Sequence, residues 1–246
     1  MSLIFYFAVI NIKVRFNNAY LGFLWAAMEP MMYFIVLYVV FSTIRGSSED
    51  YAIYLITGVM IYHIFVKGTY EGLASLTSNV GILQSINIKR DFFPIVATTS
   101  TGILAFVDIG VFFALMPVFH FVPTWTIILL PIPLILTLIL VLGLSYFLSI
   151  VSILVPDIRY IWSILIHALL FASPIFWKTD EVSGILLQIQ KINPVGQLIE
   201  LSHKVVINGE VPPLSDWLYT TLFVLGIFVV GYVVFHKLQD KIMEDL

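Results

Sequence analysis

The sequence predicts an all-α, polytopic membrane protein: six transmembrane helices, an amphipathic interface helix before them and two short external helices between spans five and six. Three observations carry that prediction. Hydrophobic residues make up 60% and charged residues 11% of the 246 positions, with a mean hydropathy of +1.02, far from a globular mixture. Apolar runs of about 20 residues, the length that crosses ~30 Å of hydrocarbon as helix, recur with short polar gaps. The alternating segments of ~10 residues that mark a β-barrel do not occur.

Composition also excludes several functions. A formal charge of -3 gives no footprint for nucleic acid, and with no cysteine there is no disulfide framework, thiol chemistry or Cys-ligated metal. The apolar N-terminal stretch carries its charges, Lys13 and Arg15, after it and not before it, the reverse of a cleavable signal, so the N-terminus is expected to stay. The chain has no G-x-x-x-x-G-K-[ST], H-E-x-x-H or G-x-S-x-G motif, and its five histidines are scattered, so neither nucleotide binding by a P-loop, nor a metal site, nor catalysis by this chain alone is expected.

Taken in order, residues 1–20 form the interface segment. A helix puts Asn11, Arg15 and Asn18 on one face, while the alternation Asn11, Lys13, Arg15, Asn17 also suits a strand; the setting favours the helix. Spans are predicted over 23–44, 51–71, 94–119, 125–155, 160–177 and 217–235. The first ends in R-G-S-S-E-D, and residues 72–93 are too polar for lipid. Between 92 and 155 the only charge is Asp108, so a tight, barely exposed turn at Pro117, His120, Pro123 and Trp125 is expected to divide two spans. In the connector 178–216, Ile185, Leu186, Ile189 and Ile192 form one apolar stripe, and Leu198, Ile199, Val205 and Val206 a second. Asn193-Pro194 between them reads as an N-cap followed by Pro at the first helical position. An even number of spans places both termini on one side, together with Lys13, Arg15, Lys67, Lys89, Arg90, Arg159, Lys237 and Lys241. The other side has only Arg45, Lys178, Lys191 and Lys204, so the positive-inside rule makes the termini cytoplasmic.

Ionisable groups inside spans are costly and mark pairing or function. Glu29 and Lys67 lie at matching depths on antiparallel neighbours and form a natural ion pair, with Lys67 snorkelling alone as the alternative. Asp108 has no cation at its depth. It is expected to be protonated, or bonded to a hydroxyl or to His167, and a proton relay would need more acids than this. Gly68 with Gly72, and Ser145 with Ser149, are spaced as small-xxx-small contacts, a weak argument for dimerisation. Tyr33, Tyr38, Tyr54, Tyr62 and Trp162 fall in or near spans, where packing, interface anchoring or stacking on sugar rings would each use them.

Arg15 followed by Y-L-G-F-L-W and Glu29-Pro30, then I-N-I-K-R-D-F-F-P, P-D-I-R, S-P-I-F-W and I-N-P-V-G, in that order, resembles the permease subunit of type-2 ABC exporters, nearest to the O-antigen, capsular polysaccharide and teichoic acid branch. The resemblance covers nearly the whole chain. It implies a homodimer working with two copies of a separate ATP-binding subunit to export a lipid-linked polysaccharide, with ATP and Mg held by that partner and no cofactor on this chain. It assigns coupling to the ATPase to Val80, Gly81, Ile82, Leu83, Gln84, Ile88, Lys89 and Arg90, and contact with headgroups to Lys13, Arg15 and Trp25. It gives a translocation path to Tyr33, Tyr38, Trp162 and Phe171, and an external gate to Ile185, Ile189, Asn193, Pro194 and Leu198. Asn18-Ala19 departs from the family, where a hydroxyl residue is common before the Leu-Gly. An exporter of a drug or small lipid on the same scaffold, a proton-coupled carrier and a membrane-embedded glycan enzyme are the other readings.

Overall fold

The computed structural model describes residues 3–17, 20–45, 49–85 and 88–239; Asn18-Ala19, part of the R-G-S-S-E-D turn, Asn87 and the tail with Lys241 lie outside them. Among the described residues there are helices and no strands. The order is α1 (Leu3–Phe16), α2 (Trp25–Arg45), α3 (Glu49–Ala74), α4 (Val80–Ser85), α5 (Phe92–Leu115), α6 (Pro131–Leu154), α7 (Ile158–Ala172), α8 (Ile185–Ile192), α9 (Pro194–Val206) and α10 (Leu214–Leu238). Five of these helical stretches, containing α2, α3, α5, α6 and α10, are long and apolar enough to cross a membrane.

α3 is the axis of the bundle and packs against α2, α5, α6, α7 and α9. It is buried nearly all round, yet it is the least apolar of the five. A helix that meets protein on every side can carry polar groups that its neighbours satisfy, whereas the outer helices must present hydrocarbon to lipid. Close approach is built from small residues. A Cβ on Gly72 would lie 1.9 Å from Ser145 Oγ on α6, and one on Gly231 of α10 would lie 2.0 Å from the Gly143 carbonyl oxygen of α6. The small-xxx-small contacts expected at Gly68, Gly72 and Ser145 are thus made inside the chain, which removes the weak argument for dimerisation drawn from them.

The long-range contacts sort the helix termini into two ends. At one end, Phe7 of α1 meets Phe92 edge-to-face, Arg159 donates to Thr77 Oγ1 at 2.7 Å, and Arg90 donates to the Gln239 carbonyl just past α10. At the other, Tyr54 near the start of α3 donates through its hydroxyl to the carbonyls of Pro174 (3.0 Å) and Trp177 (2.7 Å), and Thr126 donates to the Val205 carbonyl at 2.7 Å. The first end therefore carries α1, α4 and the close of α10; the second carries α8 and α9.

Three expectations are corrected. α1 is a helix, but its sides do not separate into polar and apolar; it buries Ala8 and Ile12 against α5, where Ser100 Oγ donates to the Ala8 carbonyl at 3.3 Å. The fifth predicted span, 160–177, stops as a helix at Ala172, because Ser173 precedes Pro174 and is driven into extended backbone (φ -99, ψ 148). Residues 174–177 then fold inward, with Ile175, Phe176 and Trp177 buried and the Tyr54 hydroxyl within hydrogen-bond distance of the Pro174 and Trp177 carbonyls. The turn after α5 is not hidden: Val122 is 84% and Trp125 70% exposed. The two connector helices form as expected. Asn193 caps α9 by accepting from the Gly196 amide at 3.2 Å, and its own amide donates to Ser173 Oγ at 2.9 Å. α9 buries Leu198, Ile199, Val205 and Val206, whereas the α8 stripe of Ile185, Ile189 and Ile192 faces outward.

Candidate functional site

A lateral groove of about 630 Å³ runs along the outside of α3 between α2 and α7. α2 contributes Trp25, Glu29 and Tyr33 to its wall, α3 contributes Tyr62, His63 and Tyr70, and α7 contributes Ile166 and His167. The spacing explains the wall: 25, 29 and 33 fall on one stripe of α2, as 63 and 70 do on α3. Tyr62 closes the base, its hydroxyl donating to the Ile166 carbonyl. None of the lining residues is Lys or Arg.

Behind the groove lies a cluster of four ionisable side chains from three helices. Lys67 Nζ donates to Glu29 Oε2 at 3.1 Å, so the ion-paired reading of these two is observed, with Lys67 7% exposed and not snorkelling. His63, one turn before Lys67 on the same face of α3, places Nδ1 3.0 Å from Asp108 Oδ1 and Nε2 3.7 Å from Glu29 Oε1. The partner of buried Asp108 is therefore His63 and neither of the partners weighed for it, a hydroxyl or His167; His167 is exposed, its Nδ1 2.6 Å from the Ser163 carbonyl. His63 thus lies between two carboxyl groups, within hydrogen-bond distance of Asp108 through Nδ1 and 3.7 Å from Glu29 through Nε2. The i, i+4 spacing of His63 and Lys67 was the signal in the sequence that could have found this residue.

The other residues singled out in the sequence are dispersed. Tyr33 lines the groove, but Tyr38 points away from it, stacking on Phe34 (5.6 Å) and meeting Phe119 (5.3 Å). Trp162 is buried and donates through Nε1 to Thr69 Oγ1 at 3.2 Å; Phe171 is exposed beside Phe176. Trp25 sits at the groove's lower rim, Lys13 is exposed, and Arg15 pairs with Glu71 of α3 at the edge of a second cavity of about 400 Å³ between α1, α3 and α5. In the segment 80–90, Ile82, Leu83 and Ile88 pack into a core with Leu76, Phe92 and Phe235, while Val80 is half-buried. Gly81, Gln84 and Lys89 are exposed, and Arg90 is engaged by the end of α10. No group of three metal-ligating side chains occurs among the described residues.

Fold and groove together define a multi-pass helical membrane protein with an aromatic-lined, carboxylate-bearing lateral groove. Over nearly its whole length the chain is similar to curated polysaccharide permeases. It is 26% identical over 242 residues, covering 96% of this chain and 92% of the relative, to the O-antigen export system permease protein RfbA of Klebsiella pneumoniae. It is 22% identical over 249 residues, 96% of this chain and 93% of the relative, to the polysialic acid transport protein KpsM of Escherichia coli. A third relative, an O-antigen export system permease protein RfbA of Myxococcus xanthus, is 22% identical over 174 residues, covering 70% of this chain and 66% of the relative. No protein-family model matches the chain. The resemblance to type-2 ABC exporter permeases carried by the ordered motifs is thus met by the curated proteins to which the chain aligns.

Proposed function

We propose that this chain is the transmembrane subunit of an ATP-driven exporter that moves a lipid-linked polysaccharide, of the O-antigen, capsule or teichoic acid kind, across the cytoplasmic membrane. The observation that carries the reading is the lateral groove between α2, α3 and α7, with aromatic rings beside hydroxyl and carboxylate groups, in a chain similar from end to end to polysaccharide permeases. Aromatic faces stack on sugar rings and polar groups bond their hydroxyls, while the open side admits an attached lipid.

In this reading α7 with residues 173–177 makes the fifth of six spans, and the end bearing α1 and α4 is cytoplasmic because the sequence segments on that side, by the order of the spans, hold eight of the twelve Lys and Arg. Two copies would face each other across α2 and α7, closing the groove into a path. ATP and Mg belong to a separate subunit docked on residues 80–90, where Lys89 is the accessible cation; nucleotide-driven closure of that partner shifts the dimer towards an open path. Trp25 and Lys13 sit at the headgroup level, and α8 and α9 serve as the external gate. A proton-coupled carrier is the reading that the His63–Asp108 cluster favours; it predicts export that survives ATP depletion. The test is deletion in the native cell. Lipid-linked glycan accumulating on the inner leaflet and cleared by re-expression supports the export reading, and an unchanged inner-leaflet pool refutes it.

A further inference from the structure

We propose that Glu29 is the group of this groove that recognises saccharide, and that it fits an uncharged glycan segment in preference to a polyanionic one; this rests on the export reading above. Glu29 is the one carboxylate on the groove wall, and its side chain is 50% exposed there while its partners are not. Oε2 is fixed from behind by Lys67 at 3.1 Å, and Oε1 faces His63 Nε2 at 3.7 Å, with side chains 6% and 10% exposed. His63 is held in turn by Asp108 at 3.0 Å. His63 Nε2 is buried and makes no hydrogen bond among the described residues.

Lys67 orients the Glu29 carboxylate and leaves its outward lone pairs free, and a carboxylate paired with an ammonium is acceptor-only. A sugar hydroxyl supplies the donor, and a bond to a charged acceptor is stronger than one to a neutral acceptor. Tyr33 and Tyr70, each 36% exposed on the same wall, and Trp25 at the rim provide faces for the ring's C–H side. An acidic sugar finds no Lys or Arg on this wall, and its carboxylate would meet Glu29 in a groove screened less than water. Lys67 and Asp108 are positioning residues, because they reach the groove only through Glu29 and His63; His63 lies on the groove wall with its side chain 10% exposed.

The test uses the full chain in nanodiscs, with Trp fluorescence reporting binding of two probes, a neutral mannose oligosaccharide and a sialic acid oligosaccharide of equal length, at pH 8 and low salt. Wild type should bind the neutral probe at least tenfold more tightly. In the paired variant E29Q/K67M, which removes the groove charge without stranding a buried ammonium, the neutral probe should bind about tenfold more weakly, because an amide oxygen is the poorer acceptor, while the acidic probe is no longer repelled, so the discrimination should collapse, a shift that a merely structural role would not produce. E29L/K67M should lose the neutral probe. Equal binding of the two probes by wild type, or unaltered discrimination in E29Q/K67M, overturns the assignment of Glu29 and leaves the groove a saccharide site. Binding of neither probe overturns both that assignment and the export reading of the groove.

Discussion

Cutting the bond between His63 and Asp108 should reveal how strongly the intramembrane cluster is coupled. The two side chains are 10% and 3% exposed and 3.0 Å apart, so each is the other's solvent. Asp108→Leu leaves the buried His63 Nδ1 without its partner, the nearest remaining carboxyl oxygen lying 3.7 Å from Nε2, and His63→Leu leaves Asp108 without its partner inside α5. Losing one partner of a buried pair costs about 3–5 kcal/mol, whereas replacing both with apolar groups of similar volume is often close to neutral. The double variant should therefore recover most of the loss, giving a coupling energy of at least about 2 kcal/mol in a double-mutant cycle. The assay is reversible denaturant unfolding of the full chain in mixed micelles, followed by tryptophan fluorescence. The neighbouring pair supplies an internal control with a built-in asymmetry. Glu29→Gln leaves Lys67 buried without its anion, while Lys67→Met leaves Glu29 half-exposed, so the first should be the more damaging. Single-variant losses that simply add to within about 0.5 kcal/mol would refute the reasoning, since additivity is the behaviour of independent sites.

Three further outcomes follow from local geometry. Gly231→Ala places a methyl 2.0 Å from a backbone oxygen of α6 and should cost about 1–3 kcal/mol, while Gly226→Ala on the same helix, which meets open space, should stay within about 0.5 kcal/mol; thermal unfolding in detergent compares them. Asn193→Ala removes the cap of α9 and the bond to Ser173, with an expected loss of about 1–2 kcal/mol, read as faster proteolysis in the connector 178–216. His203 is fully buried, its Nε2 bonded to the Tyr54 carbonyl at 2.9 Å and its Nδ1 without a hydrogen bond among the described residues. Burial, with a smaller push from Lys178, lowers its pKa from 6.5 to about 3. The unfolded chain thus binds a proton below 6.5 that the folded chain refuses, and stability falls as the pH drops. About 2 kcal/mol should be lost by pH 5, and His203→Gln should flatten that dependence.

Much of the framework can be read in the residue order. Apolar run length against bilayer thickness located the long helices to within a few residues, and Asn193-Pro194 announced the start of α9 through capping chemistry that is local to four residues. The Glu29–Lys67 pair followed from matched depth on antiparallel neighbours, an argument that needs only the helical rise and the order of the helices. The same arithmetic placed Asp108 at a depth but could not say which neighbour it met there.

That choice belongs to the tertiary structure. Hydropathy averages over a helix and does not report which side faces protein, so α3, the least apolar of the five long helices, was not distinguishable in advance as the buried axis. Once α3 is central, His63 rather than His167 is presented to Asp108, and Gly72 is occupied by α6 instead of by a second copy. The groove has the same origin: three helices each contribute one stripe, and only their packing angles bring Tyr33, Tyr70 and His167 to one wall while turning Tyr38 and Trp162 elsewhere. Sequence alone determined that this is a multi-pass membrane protein and where its five long apolar helices run, because the bilayer acts on segment length and polarity one segment at a time. Which polar groups meet inside it was decided only by the rotation of each helix about its axis, a quantity set by side-chain packing between segments far apart in the chain.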